Sequence, residues 1–249
     1  MPFVVAIALI FLLFIFLEKR YPLHRKKTFR QGWLTDLTHY FVNQYLVDVG
    51  VFLLAIPLYV LLGWAIDNPL SIAIATQSAS LQFLEAVIIA ELAFYWIHRA
   101  AHTILWLWRF HAIHHSSEQL DFLSAVRFHP IEMAIARVGV GLPLVLLGFS
   151  AETFGWYLIW NALNSVFIHA NIRWQIPMWM WWIVVAPRYH HWHHSKDILN
   201  KNFGHPLIDL LFGTFYYSSR KIPMGYGITE IVPSSYWGQL RYPWKKKKN

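Results

Sequence analysis

The sequence predicts an all-α protein, a multi-pass transmembrane helical bundle with a histidine-rich helical cap on its cytoplasmic side. Three observations carry that expectation. Of the 249 residues, 57% are hydrophobic and only 14% charged, which is too apolar for an ordinary soluble domain. Apolar runs recur along the chain at about the length that a helix needs to cross a bilayer, roughly 20 residues. Fourteen histidines, a surplus in a chain so poor in charge, gather mainly where those runs end.

The first run, Phe3 to Leu17, resembles the core of a signal peptide. No basic segment precedes it, no small-residue cleavage site follows it, and Glu18, Lys19 and Arg20 come next, so it reads as an uncleaved span. A second run covers Tyr45 to Ile66, with Pro57 as an expected kink. A third covers Leu81 to about Ala101. From His98 to Pro130 polar, aromatic and histidine residues mix, and an apolar hairpin then runs from Ile131 to Ile168 with its turn at Gly148, Phe149 and Ser150. Each arm of that hairpin is long enough either to span or to form a re-entrant pair. Beyond Ala170 the chain is rich in Trp and Pro, then in His, then loop-like, with a short apolar stretch at Pro206 to Tyr217. With no internal repeat and no flexible linker, residues 1–249 read as a single integral membrane domain whose N-terminal spans occupy 1–90.

Charge gives the expected orientation, because Lys and Arg near span ends stay in the cytoplasm. Lys19, Arg20, Arg25, Lys26, Lys27 and Arg30 all lie between the first two runs, which places that loop inside and the N-terminus outside. Counting forward, Asp67 to Ser80 and the turn near Ser150 fall outside, and neither carries Lys or Arg. The segment His98 to Pro130, His169, the cluster His190 to His194 and the tail Lys245 to Lys248 fall on the cytoplasmic side. The net charge of +8 suits anionic lipid headgroups, since the basic residues border apolar runs, and no nucleic-acid partner is expected. The 14 Trp residues suit the two lipid–water interfaces as well as a core. The absence of cysteine excludes disulfides, thiolate zinc sites, iron–sulfur clusters and cysteine nucleophiles. Any metal must be held by His, Asp, Glu or backbone.

Three histidine boxes carry the chemistry. His98 and His102 stand four residues apart, which puts both imidazoles on one helical face. His111, His114 and His115 form the second box. His190, His193 and His194 repeat its spacing. Neutral imidazole is a borderline ligand for iron, zinc and copper, and pairs at i, i+3 and i, i+4 converge without backbone strain. Eight boxed histidines exceed what one metal can use, so two metals are expected. Isolated histidines such as His24 and His39 read as ordinary hydrogen-bonding residues.

The segments HRAAH, FHAIHHSSE, RFHPIE, FIHANI, APRYHHWHHSKD and NFGHPLIDLLFGTF run in order from about Glu91 to Tyr217. Together they resemble the sterol desaturase and fatty acid hydroxylase superfamily of membrane di-iron oxygenases. The resemblance implies a catalytic region at 91–217, a cytoplasmic tail at 218–249 and a di-iron site in the cap. The implied iron ligands are His98, His102, His111, His114, His115, His190, His193 and His194, with His169 of FIHANI as the ninth. Some members have a second histidine four residues before that one, where this chain has Ser165. His129 is left out of the set, and His191 is read as a neighbour because using it would break the shared spacing. Glu91 lies about 10 Å below His98 on the same helical face, at 1.5 Å per residue. It and Asp209 are candidates to hydrogen-bond a metal-bound histidine from another segment.

The resemblance further implies two non-haem iron ions and dioxygen as co-substrate. The substrate would be a membrane lipid, whether sterol, fatty acyl, sphingolipid or related, to be hydroxylated or desaturated. Iron fits because attack on an unactivated C–H bond needs a redox metal, and zinc has no redox chemistry. No Gly-rich dinucleotide fingerprint and no fused haem domain occur, so an external electron donor is expected, either a reductase or a haem or iron–sulfur carrier. The sequence leaves the oligomeric state open. The alternative reading is a non-catalytic membrane haem- or metal-binding transport protein, for which histidines would stand within the spans rather than at their ends. A zinc protease is a weaker alternative still, because no H-E-x-x-H motif occurs.

Overall fold

The computed structural model describes residues 2–66 and 68–245, so Asp67 and Lys246 to Lys248 of the expected loops lie outside the described residues. Among the described residues the chain is all-helical, with two isolated β-bridges and no strand. Its α-helices are α1 (Pro2–Arg20), α2 (Trp33–Leu62), α3 (Pro69–Ala75), α4 (Ala79–Thr103), α5 (Leu105–His115), α6 (Pro130–Leu146), α7 (Ala151–His169), α8 (Pro187–His193), α9 (Pro206–Leu211) and α10 (Tyr236–Arg241). By length and composition two of them can cross a membrane, α2 with 30 residues and α4 with 25. Their outward faces carry Phe52, Leu53 and Val60 on α2 and Leu84 and Ile88 on α4, all exposed.

α2 begins at Trp33, well before the apolar run at Tyr45. The reason is visible in its first turns. Asp36, His39, Asn43 and Val47 follow helical spacing and bury one stripe. The His39 ring meets the Gln239 side chain at 2.6 Å, and Asn43 donates to the Phe128 carbonyl at 2.7 Å. These polar turns are therefore helical through contact with the cap, not with an apolar solvent.

The interval between the second and third apolar runs contains α3. Asn68 caps it by accepting from the Leu70 and Ser71 amides, and Pro69 fills the first position, where no amide hydrogen is needed. The hairpin of α6 and α7 turns where the sequence places it. Gly148 has φ +80°, and a Cβ there would approach the Ser71 carbonyl oxygen to 2.6 Å, so the turn needs glycine both for its backbone and for its seat on α3. A core of Ala86, Ala90, Val140, Leu144, Phe149 and Tyr157 joins α4 to this hairpin. A second core brings Phe14 of α1 to Phe122, Leu123, Ala170 and Ile172. Together these contacts gather the C-terminal ends of α4, α5, α7 and α8 at one end of the bundle.

Candidate metal centre

Every box lies on a helix. His98 and His102 close α4, the second box closes α5, His169 closes α7, and the third box covers the end of α8 and the residue after it. Their imidazoles converge in two groups. His98, His102, His111, His115 and His193 form one, and His114, His169, His190 and His194 the other. Within each group the ligand-type nitrogens all lie within 4.8 Å of one another. The groups are adjacent, with His115 of the first stacked on His194 of the second at 4.3 Å between ring centres. The nine histidines named from the sequence are the nine that the fold brings together.

The hydrogen bonds around the rings fix which nitrogen carries the proton. His98 Nδ1 donates to the Phe203 carbonyl at 2.5 Å, His114 to Arg127 at 3.2 Å, His169 to Ser165 at 2.7 Å and His193 to Lys201 at 2.8 Å. A backbone carbonyl only accepts, so each of these rings has its hydrogen on Nδ1 and a bare lone pair on Nε2. Those lone pairs point inward at one another. His169 and His114 face each other through Nε2 at 3.2 Å, and His98 and His111 at 3.1 Å. The buried Nε2 atoms of His102 and His193 have no hydrogen-bond partner. Facing lone pairs repel, and a cation between them removes the repulsion.

Protonation is not the cation supplied. Burial, reinforced by the neighbouring imidazoles, holds His111, His114, His115, His190, His193 and His194 well below the usual histidine range, so these rings are neutral near pH 7. An all-nitrogen donor set of five and four, with no thiolate, fits borderline metals such as iron.

Glu132 was not singled out in the sequence. Its carboxylate accepts from His111 Nδ1, which turns His111 Nε2 into the site. The signal was present in the RFHPIE segment, where Pro130 opens α6 and Glu132 follows in its first turn. His129 caps the same helix by accepting from the Ile131 amide. His191 bonds to the His169 and Ala170 carbonyls and to Tyr226, outside both groups, and His24 meets the same tyrosine.

Asp209 works at one remove. It accepts from the Phe203 and Gly204 amides, Thr214 Oγ1 and Tyr189 Oη, and so braces the peptide whose carbonyl holds His98. Among the described residues Glu91 makes no hydrogen bond to a histidine, and its electrostatic neighbours are Asp209 and Tyr157.

Beside the imidazoles lies a second buried polar cluster. Arg30 makes a two-pronged bond to Asp121, each arm 2.8 Å, and also reaches Asp36, which accepts from Arg127 as well. Lys26 lies 3.2 Å from Asp121 and 3.9 Å from Glu18. Arg127 connects the clusters, because its backbone carbonyl holds His114 while its side chain is clamped by Asp36.

A helical chain with imidazoles gathered in two groups at the ends of apolar helices belongs to a recognisable class, and the comparisons name it. The chain belongs to the fatty acid hydroxylase family, whose model matches residues 83–214, more than half of its length. It is similar to the ornithine lipid hydroxylase OlsE of Rhizobium tropici, 37% identical over 172 residues, which is 67% of this chain and 51% of that protein. It also resembles the alkylglycerol monooxygenases of Danio rerio and Homo sapiens, at 31% and 29% identity, in each case over 57% of this chain and 32% of the relative. The matched region thus spans about half of the first of these proteins and about a third of the others. No solved structure matches the chain.

Proposed function

We propose that this protein is a membrane di-iron oxygenase that hydroxylates a lipid. The observation that carries the reading is the pair of imidazole groups whose lone pairs face one another. His98, His102, His111, His115 and His193 would hold one iron, and His114, His169, His190 and His194 the other. Bound iron supplies redox chemistry, by which one C–H bond and dioxygen, with two electrons and two protons from a donor, become C–OH and water.

The chain's own residues hold and shield the centre. Carbonyls of Arg127, Ser165, Lys201 and Phe203, with the Glu132 carboxylate, keep the ring hydrogens turned outward. Phe128 stacks on His114 at 4.0 Å and excludes water from that ring. Hydroxylation is preferred over desaturation because the similar proteins are, by name, a hydroxylase and monooxygenases. Their named substrates are an ornithine lipid and alkylglycerols, which supports a polar membrane lipid here. An external reductase or electron-carrier protein would deliver the electrons.

In this reading α1, α2, α4 and the α6–α7 hairpin form a multi-pass bundle, with the N-terminus outside and the metal centre on the cytoplasmic side, as the positions of Lys and Arg indicate. Comparing the lipids of cells that overproduce the protein with those of cells producing His193→Ala tests the activity. A lipid gaining one oxygen only with the native chain is expected, and identical lipid profiles would refute it. For the orientation, a cysteine at Ser116 should react with a membrane-impermeant thiol reagent only after permeabilisation, and one at Ser78 should react in intact cells. Labelling of position 116 from outside would refute the orientation.

A further inference from the structure

At the cap end of the bundle, two short segments turn large apolar side chains outward. In and just after the 3-10 segment Met178–Trp182, Trp179 and Ile183 are each 67% exposed, and on α9 Leu210 and Leu211 are 57% and 74% exposed. These values match that of Ile88 on the outward face of α4, at 58%.

Both segments are firmly seated on their other sides. Trp181 meets Tyr217 edge-on at 4.5 Å and packs in a core with Val185, Ala186 and Tyr189. Asp209 anchors α9 through the four hydrogen bonds described above. Phe212, directly after α9, stacks on Tyr95 at 5.0 Å and meets Trp96 at 4.8 Å, so the outward face of α9 continues that of α4. Cations stand at this junction. The Arg99 guanidinium lies 5.6 Å from the Trp96 ring centre, and Lys201 Nζ donates to the Gly213 carbonyl beyond α9. Exposed Trp and aliphatic side chains, bounded by Arg and Lys at the end of an apolar helix, are the chemistry of the boundary between headgroups and acyl chains. Water-facing helices of a cap would instead carry polar residues.

We propose that the Met178–Ile183 segment and α9 lie in the plane of the membrane as a ledge. Their outward side chains are set into the headgroup–acyl boundary of the leaflet next to the metal centre. The inference rests on reading α4 as a membrane span. Because Asp209 of α9 also braces the Phe203 peptide that holds His98, the ledge ties the height of the metal centre to the lipid surface.

The native chain has no cysteine, so single labelled sites are available without removing others. Trp179→Cys and Leu211→Cys, with Ile88→Cys as the span reference and Asp197→Cys as the exposed-loop reference, would each carry a bimane fluorophore. The proteins are placed in phosphatidylcholine nanodiscs, with and without brominated acyl chains, and titrated with aqueous iodide. The ledge predicts that positions 179 and 211 follow position 88, quenched by brominated lipid and several-fold less by iodide than position 197. Iodide quenching of 179 and 211 equal to that of 197, while 88 remains lipid-quenched, overturns the ledge and leaves the span reading standing. Protection of 179 and 211 from both quenchers would mark a protein-covered surface and also overturn it. Iodide quenching of position 88 as well would overturn both readings.

Discussion

Two buried polar clusters sit side by side at the cap end of the molecule, and they are built on opposite principles. In the cluster around Arg30, the cations Lys26, Arg30 and Arg127 meet the carboxylates Glu18, Asp36 and Asp121, and each charge faces an opposite one. In the imidazole cluster, nine rings gather in two groups, and five of them, His98, His111, His114, His169 and His193, give their Nδ1 hydrogens to carbonyls or to Glu132 and turn bare Nε2 lone pairs inward. The first cluster is complete as it stands. The second is a set of acceptors whose chemistry suits a cation. Burial therefore does not separate structural from functional polar residues here, whereas the balance of donors and acceptors does.

The largest expected effect lies in the imidazole cluster. His114→Ala or His193→Ala should abolish turnover and lower the metal content of folded protein, as read by product formation and elemental analysis. Equal loss in His24→Ala, whose ring meets Tyr226 and the Pro223 backbone outside both groups, would erase the distinction between boxed and unboxed histidines. Stripping metal with a chelator should come next. At 1,000 times the dissociation constant, bound metal stabilises by about 4 kcal/mol, or a fall of roughly 10 °C in melting temperature when it is removed. An unchanged melting temperature would mean that the imidazoles are satisfied without a cation.

Asp36→Asn probes the other cluster. It leaves Arg30 and Arg127 short of a buried counter-charge, and breaking a buried pair costs about 3 kcal/mol or somewhat more. Denaturant titration should register that loss, while metal per folded chain stays near the native value. Loss of metal without loss of stability would reverse the assigned roles. Glu132→Gln should act more mildly, since it keeps a hydrogen-bond acceptor for His111 but removes the charge. A roughly tenfold to hundredfold weaker metal affinity is expected in a competition titration. The smallest effect belongs to His24→Ala, with turnover near native and stability changed by no more than about 1 kcal/mol.

The contrast also explains what could be read in advance. Histidine spacing on helices is a local property, so the three boxes were visible in the sequence, and the turn at Gly148 was marked by residue type. The polar start of α2 was not legible as helix, because Asp36, His39 and Asn43 each depend on a partner some 85 to 200 residues away, in Arg127, Gln239 and Phe128. Glu132 was missed for a similar reason. RFHPIE marks it as an early residue of α6, but its partner His111 lies 21 residues earlier on another helix, so the segment alone does not show what it holds. α3 lay behind a clear capping signal, Asn68 followed by Pro69, that was overshadowed by the apolar runs on either side.

Metal analysis of protein purified from iron-replete cells bears on the whole reading at once. Two groups of imidazoles, five and four in number, predict about two irons per chain, retained through size-exclusion chromatography and lost together with activity on chelation. Stoichiometric zinc with no iron, or full turnover in metal-free protein, would contradict the di-iron oxygenase.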